Sequence, residues 1–213
     1  MGKCVIFCAG GFDGLLEPIG ADDYIIAADG GYAHVQTLGR KPDCLLGDFD
    51  SLGYVPDGAT VYPVKKDDTD AMLAVRRGLE LGYKEFLLYG TLDGPRLDHT
   101  VANLQLLAFL AARGARGVLI GNTAVATLIK NSTARFPAGT QGYFSLFSTE
   151  GIARNITVSG AEYNLTHGQL SCDFPLGVSN RFTGEAVRIC VGDGSLLMIW
   201  DRKNGLCEVS NET

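Results

Sequence analysis

The hydrophobic pattern changes once along this 213-residue chain, and that change limits the folds it can adopt. Up to about residue 128, short continuous apolar runs alternate with segments of helical periodicity. Continuous apolar runs suit strands that are buried on both faces, so they predict an open, mainly parallel sheet with flanking helices. The predicted strands cover residues 5–8, 24–28, 44–46, 61–64, 86–89 and 118–120, and the predicted helices cover 32–38, 70–81 and 98–113.

Helical spacing is absent after about residue 136. Segments rich in aromatic and β-branched residues are separated there by turns about ten residues apart, which is typical of a β-sandwich. These predicted strands cover residues 143–147, 152–158, 169–174, 186–191 and 196–200. The polar stretch that starts at Lys130 places the boundary, so we expect an α/β domain over 1–132 and an all-β sandwich domain over 133–213. The polar tail over 203–213 is expected to be frayed.

Composition excludes several classes of protein. The formal net charge is −6, and Lys and Arg are scattered, which argues against a nucleic-acid surface. No apolar run reaches the ~20 residues of a membrane span. The six cysteines show no C-x-x-C spacing, and no basic and apolar leader opens the chain. We therefore expect a cytoplasmic protein with reduced thiols.

Carboxylates gather where predicted strands end. Asp29 follows the strand that ends at Ala28, and Asp48 and Asp50 follow the strand that ends at Leu46. In an open α/β sheet, ligands bind outside the carboxyl ends of the strands. Each acid alone is more often a turn residue or a cap, but clustered carboxylates repel one another unless a hard cation neutralises them. The set therefore predicts Mg²⁺, with phosphate oxygens of a substrate completing its shell.

A second acidic group precedes the predicted helix over 70–81, in Lys66-Asp67-Asp68-Thr69-Asp70. One alternative is that Asp67 caps the helix, with Asp70 as the reciprocal partner of a capping box. A capping box explains two of the three acids. The remaining one indicates a site at the start of the helix, where a carboxylate holds a metal or accepts a proton from an attacking hydroxyl.

Arg96 lies in a glycine-punctuated loop that leads into the third predicted helix. Its planar guanidinium matches phosphate oxygens, and a helix N-terminus adds free N–H groups. The alternative is a surface ion pair with a neighbouring Asp. The chain has no G-x-x-x-x-G-K-[ST] loop, and therefore no standard phosphate-binding loop. It also has no zinc spacing of His and Cys and no G-x-S-x-G motif, which disfavours zinc enzymes and serine hydrolases.

The ordered series of motifs closely resembles the thiamine pyrophosphokinase family in its bacterial form. The motifs are Asp29-Gly30-Gly31, Gly47-Asp48-Phe49-Asp50-Ser51, Lys66-Asp67-Asp68-Thr69-Asp70, Arg96-Leu97-Asp98-His99 and Gly177-Val178-Ser179-Asn180. The resemblance covers nearly the whole chain. It implies a homodimer with active sites at the subunit interface, which transfers pyrophosphate from ATP to the hydroxyl of thiamine and releases AMP.

The resemblance also implies roles for individual residues. Asp48, Asp50 and Asp70 would hold Mg²⁺ and the reacting groups, and the catalytic set would be Asp50, Asp70, Arg96 and Asp98. The nucleotide would be bound by Asp29, Gly30, Gly31, Asp48, Thr69, Arg96 and His99. Ser179 and Asn180 would face thiamine.

Two departures from the family pattern are visible. The loop reads Gly94-Pro95-Arg96, where the family usually has Gly-Gly-Arg. Family members from animals stack thiamine on a Trp near the last strand. Trp200 lies close to that place but shares a strand face with Leu196 and Met198, so a ligand role and a core role both remain open.

Two other functional classes fit parts of the pattern. A metal-dependent transferase that uses nucleotide sugars also employs an Asp-x-Asp pair, as Asp48 and Asp50 could form. A non-catalytic nucleotide sensor would keep the phosphate-binding loops and could dispense with Asp70.

Overall fold

The computed structural model describes residues 2–50, 52–63 and 67–211. They form two compact units, Met1–Asn122 and Thr123–Thr213. The division falls after residue 122, whereas the sequence pattern places it after residue 132. The reason is the strand over residues 124–130, which pairs along its whole length with a strand of the second unit. Its apolar run continues the pattern of the first unit, but its pairing with the strand Ser195–Asp201 groups it with the second.

The first unit is an open parallel sheet with helices, as predicted. Its strands are β1 (Cys4–Phe7), β2 (Tyr24–Ala28), β3 (Cys44–Gly47), β4 (Thr60–Val61), β5 (Glu85–Tyr89) and β6 (Arg116–Ile120). Its helices are α1 (Gly31–Thr37), α2 (Asp70–Glu80) and α3 (Leu97–Ala111). The strand order is β6-β5-β1-β2-β3-β4, and each neighbouring pair is parallel. The predicted strand over 61–64 ends at Val64, which lies outside the described residues.

The core of this unit is a sheet buried on both faces, since every residue of β1 is buried. Helix α2 packs through small residues, namely Ala71, Ala74, Val75 and Gly78. The sequence pattern instead predicts a stripe of Met72, Val75 and Leu79. A Cβ on Gly78 would collide with the Phe86 ring and the Cys4 sulfur, so glycine at this position lets the helix approach the sheet.

Helix α3 is the most apolar helix by sequence, and we expect it to be covered on two sides. In the described structure of the single chain, one face is buried through Asn103, Leu106, Leu107 and Leu110. Leu97 and Val101, on the remaining surface, are exposed. No helix in the described part of the chain is long and apolar enough to cross a lipid bilayer.

The second unit contains two antiparallel sheets, which confirms the predicted β-sandwich class. Its strands are β7 (Ala124–Lys130), β8 (Thr133–Phe136), β9 (Gln141–Ser148), β10 (Ile152–Ser159), β11 (Leu165–Ser171), β12 (Asn180–Thr183), β13 (Val187–Asp193), β14 (Ser195–Asp201) and β15 (Glu208–Ser210). Four of these strands have the order β12-β9-β14-β7, and the other five form a sheet of the order β11-β10-β13-β8-β15.

The prediction of a frayed tail is wrong for the described residues. Strand β15 pairs with β8, with Val209 opposite Ala134. The Arg135 guanidinium also donates a 2.6 Å hydrogen bond to the Ser210 hydroxyl. Strand β15 lies at the edge of its sheet, where Glu208 is exposed and the other two residues are half-buried.

Candidate active site

The parallel register of β2 and β3 brings the acidic loops to one edge of the sheet. Ala28 lies opposite Leu46, so Asp29 and Asp48 leave the sheet at the same end. The Asp29 N–H donates a 2.8 Å hydrogen bond to the Leu46 carbonyl and extends the pairing of the strands by one residue. The backbone therefore holds the two acidic loops side by side.

Three carboxylates converge at this edge. One oxygen each from Asp29, Asp48 and Asp50 lie within 4.8 Å of one another. Asp29 is only 6% exposed, and its Oδ1 is buried without a hydrogen-bond partner among the described residues. Burying a carboxylate oxygen without a partner is costly, and a bound cation would remove that cost. An all-oxygen donor set of this kind fits Mg²⁺ or a similar hard cation.

The backbone of these loops is strained. Asp29 has a φ of 48° and Phe49 has a φ of 60°, in the left-handed region that non-glycine residues rarely adopt. The Phe49 side chain is 2% exposed, so it anchors the turn between Asp48 and Asp50 in the core. The Asp50 N–H donates to Asp48 Oδ1 at 3.4 Å, which holds the two acids in one turn. Such strain collects at functional sites. Ser51, the last residue of this motif, lies outside the described residues.

Asp70 is the first residue of α2, and Thr69 is the cap of that helix. The Thr69 hydroxyl accepts a 3.2 Å hydrogen bond from the Met72 N–H. The alternative in which Asp67 caps the helix and Asp70 completes a capping box is therefore wrong. Asp70 is not a member of the three-carboxylate cluster, which contains Asp29 in its place. The metal set of Asp48, Asp50 and Asp70 stays a prediction. Lys66 lies outside the described residues.

The buried Cys8 thiol, which the sequence pattern does not mark as functional, is influenced by both Asp70 and Asp29. Burial, together with the negative charges of Asp70 and Asp29, raises the pKa of the Cys8 thiol to about 12. Both carboxylates therefore act on the same buried atom at the end of β1. The thiol remains neutral at physiological pH.

The loops after β1 and β5 pack against each other. The Gly10 N–H donates to the Gly90 carbonyl at 3.0 Å, and the Gly11 N–H donates to the Asp93 carbonyl at 3.3 Å. The Asp93 carboxylate in turn accepts from the Asn122 N–H at 2.6 Å. The sequence pattern does not predict these contacts, although Gly10 and Gly11 in succession are a signal of close backbone approach.

Arg96 forms an exposed ion pair with Asp98. Its Nε donates to Asp98 Oδ1 at 3.2 Å, and its Nη2 donates to Oδ2 at 2.6 Å. The hydrogen bond from Arg96 lowers the pKa of the Asp98 carboxyl and raises the pKa of Arg96. Both side chains are more than 60% exposed. The surface pair considered in the sequence analysis therefore forms in this structure. The predicted phosphate contact of Arg96 and the predicted nucleotide contact of His99 stay predictions.

The two residues that are predicted to face thiamine, Ser179 and Asn180, differ in burial. The Asn180 side chain is buried, and its Oδ1 accepts from the N–H groups of Tyr163 and Arg181 at 3.1 and 2.8 Å. Its Nδ2 donates to the Tyr163 carbonyl at 2.7 Å. Asn180 thus fixes the start of β12, whereas Ser179 is exposed and has a φ of 60°.

Trp200 belongs to the core. Its side chain is 2% exposed and packs edge to face on Phe136, with ring centroids 5.4 Å apart. Its Nε1 donates to the Gly205 carbonyl at 2.9 Å. The structure therefore supports the core role among the two that the sequence leaves open.

Comparisons with known proteins identify both segments of the chain. The family model described as the catalytic domain of thiamin pyrophosphokinase matches residues 17–119. The family model described as the vitamin B1 binding domain of thiamin pyrophosphokinase matches residues 132–196. The first match lies within the first compact unit and the second within the second unit. No curated protein sequence matches the chain.

Solved structures share the fold. Thiamine pyrophosphokinase from Bacillus subtilis is 22% identical with a TM-score of 0.80, and 94% of this chain covers 99% of that one. Thiamin pyrophosphokinase from Geobacillus thermodenitrificans is 25% identical with a TM-score of 0.75, over 93% of this chain and 96% of that one. The yeast enzyme is 14% identical with a TM-score of 0.73, over 95% and 87%. The fold therefore persists where sequence identity is low.

Proposed function

Because the chain belongs to the thiamin pyrophosphokinase family, we propose that it transfers a pyrophosphoryl group from ATP to the hydroxyl of thiamine. The products are thiamine diphosphate and AMP. The observation that carries the proposal is the cluster of Asp29, Asp48 and Asp50, which lies in the segment matched by the catalytic-domain model. A nucleotide-sugar transferase and a non-catalytic sensor are not favoured, because the second unit matches the vitamin B1 binding domain.

The reaction is a displacement at the β-phosphorus of ATP. The hydroxyl oxygen of thiamine forms a bond to that phosphorus, and the bond from the phosphorus to the α–β bridging oxygen breaks. AMP leaves with the electron pair, and the hydroxyl proton passes to a carboxylate. We assign the proton to Asp70, because it lies in the first turn of α2 and outside the three-carboxylate cluster.

We propose that Mg²⁺ is held by Asp48 and Asp50 together with Asp29, which takes the place that the family resemblance gives to Asp70. The unpartnered Oδ1 of Asp29 supports this set, since it is a buried ligand atom with no other described use. When bound, the cation would neutralise negative charge on the triphosphate. The anchored Phe49 and the strained turn would hold the carboxylates in position before the substrate arrives.

We assign nucleotide binding to the loops at the same edge of the first unit. The residues are Asp29, Gly30, Gly31, Asp48, Thr69, Arg96 and His99. An exposed ion pair contributes little stability, so a phosphate group could displace Asp98 from Arg96 at small cost. In that state Arg96 would bind phosphate oxygens through both arms of its guanidinium, with Asp98 beside it as an alternative partner.

We assign the thiamine contact to Ser179 and not to the Asn180 side chain, which is fully engaged with the backbone of neighbouring residues. We also propose a homodimer with active sites at the subunit interface. The exposed apolar side chains of Leu97 and Val101, and of Phe174 and Leu176, support such an interface. A cytoplasmic location is consistent with six free thiols.

The fate of isotopic label tests the reaction. With ATP labelled on the γ-phosphate, the label should appear in thiamine diphosphate, and AMP should form in equal amount. Labelled inorganic phosphate together with ADP would contradict pyrophosphoryl transfer. Omitting thiamine is the matched control and should stop AMP formation.

A further inference from the structure

Ser145 lies next to Ser179 across two paired strands of the second unit. Strand β9 pairs with β12 so that Phe144 lies opposite Asn180, and Tyr143 lies opposite Arg181. The Ser145 hydroxyl accepts a 3.1 Å hydrogen bond from the Ser179 N–H. The residue just before β12 is thus held by a side chain of the facing strand.

This hydrogen bond helps to set the direction of the Ser179 side chain, because Ser179 has an unfavourable backbone conformation. Its φ of 60° is unfavourable for a residue that has a Cβ. Without a fixed N–H, the residue can relax toward extended backbone, which would redirect the hydroxyl. The bond to Ser145 opposes that relaxation from one side, and the buried Asn180 side chain fixes the following residue from the other.

Ser145 is itself rigidly placed. Strand β9 is paired on its other edge with β14, where Ser145 lies opposite Ile199. The neighbouring Phe144 is buried in the core and tilts against the Phe182 ring, with centroids 4.7 Å apart. The backbone of Ser145 is therefore held on both edges of its strand, which places the hydroxyl within hydrogen-bond distance of the Ser179 N–H.

We propose that Ser145 is a positioning residue for thiamine binding, which acts by holding Ser179 in its left-handed conformation. The inference rests on the proposed contact between Ser179 and thiamine. Because the Ser179 N–H is near the surface, water can replace the lost acceptor, and the free energy of unfolding should change little when the Ser145 hydroxyl is removed. Substrate affinity should change much more.

The test compares Ser145→Ala with Ser145→Thr in the full chain. Ser145→Ala should raise the KM for thiamine about tenfold, with kcat and the KM for ATP within twofold of wild type, because one positioning hydrogen bond is lost. Ser145→Thr retains the hydroxyl and should restore the KM. The double variant Ser145→Ala with Ser179→Ala should be no worse than Ser179→Ala alone, since both changes remove the same contact.

Ser148→Ala is the matched control on the same strand. Its hydroxyl donates a 3.3 Å hydrogen bond to the Gly151 carbonyl, on the buried face of β9. This variant should lose stability without a change in the KM for thiamine. An unchanged KM in Ser145→Ala would overturn the inference, as would additive losses in the double variant or a fall in kcat that parallels a fall in stability. A wild-type chain without thiamine turnover would overturn the proposed function itself.

Discussion

The two regions that carry the proposed ligands are built in opposite ways. At the carboxyl edge of the parallel sheet, Asp29, Asp48 and Asp50 point like charges at one another, and one buried oxygen of Asp29 has no hydrogen-bond partner among the described residues. At the start of β12, the polar atoms of Asn180 are all hydrogen bonded within the protein. A buried polar atom without a partner, such as Asp29 Oδ1, indicates a site for a ligand, whereas a fully hydrogen-bonded side chain such as Asn180 supports its neighbours.

Asp70 and Thr69 offer the largest expected contrast within the first region. Asp70→Asn should lower kcat by about 10²-fold or more, because a proton acceptor is lost, while ATP still binds. Its melting temperature should be equal or higher, since one of several like charges is removed.

Thr69→Ala is the control for that experiment. It should lower the free energy of unfolding by about 1 kcal/mol, because the Met72 N–H loses its cap. An Asp70→Asn variant that is less stable and catalytically normal would assign Asp70 to the support of the helix and would remove it from the reaction.

Alkaline pH should weaken the first unit through its buried thiols. Burial raises the pKa of both Cys4 and Cys8 to about 12, above the value in the unfolded chain. Their stabilising contribution is therefore complete below about pH 8.5 and is lost as the pH rises toward 12. Each thiol should cost about 2 kcal/mol of unfolding free energy at pH 10.

Two spectroscopic signals can separate the units in that experiment. The described α-helices all lie in the first unit, and the second unit has only a three-residue 3-10 helix at Arg202–Asn204, so helical circular dichroism reports mainly on the first unit. Trp200, the single tryptophan, reports on the second unit by its fluorescence. Urea midpoints should fall with pH more in the helical signal than in the fluorescence. Cys8→Ala should flatten the pH dependence, and a slope identical to wild type would contradict the account.

The smallest expected change in stability concerns Arg96. Because its ion pair with Asp98 is exposed, Arg96→Ala should leave the melting temperature unchanged. The KM for ATP should nevertheless rise about tenfold, as expected when a charge-assisted contact to phosphate is lost. Arg154, which makes a similar exposed pair with Asp193, provides the control, since Arg154→Ala should change neither quantity.

The sequence predicts the elements of the first unit because their periodicity is a local property. It also predicts that Asp29 and Asp48 meet, since parallel strands end at a common edge. It does not predict that Thr69 caps α2, because adjacent polar residues compete for the same N–H groups. Nor does it show that Asn180 points inward and Ser179 outward. Strand register and a left-handed residue decide that, and both depend on partners distant in the chain.

Trp200 and β15 illustrate the same limit in the second unit. Period-two spacing places Trp200 with Leu196 and Met198, but only the packing against Phe136 shows that this face is buried. Strand β15 is a short polar segment without a pattern of its own. Its pairing with β8 makes it a strand.

Cation binding to the three-carboxylate cluster is the central claim, and calorimetric titration of the chain with Mg²⁺ or Mn²⁺ tests it most directly. Asn tolerates the left-handed conformation of Asp29, so Asp29→Asn should fold normally. Wild type should bind the cation, and Asp29→Asn should bind it at least tenfold more weakly. The control is Asp57→Asn, a change in an exposed loop of the same unit, and its cation affinity should match that of wild type. Equal cation affinity in wild type and Asp29→Asn would contradict the account.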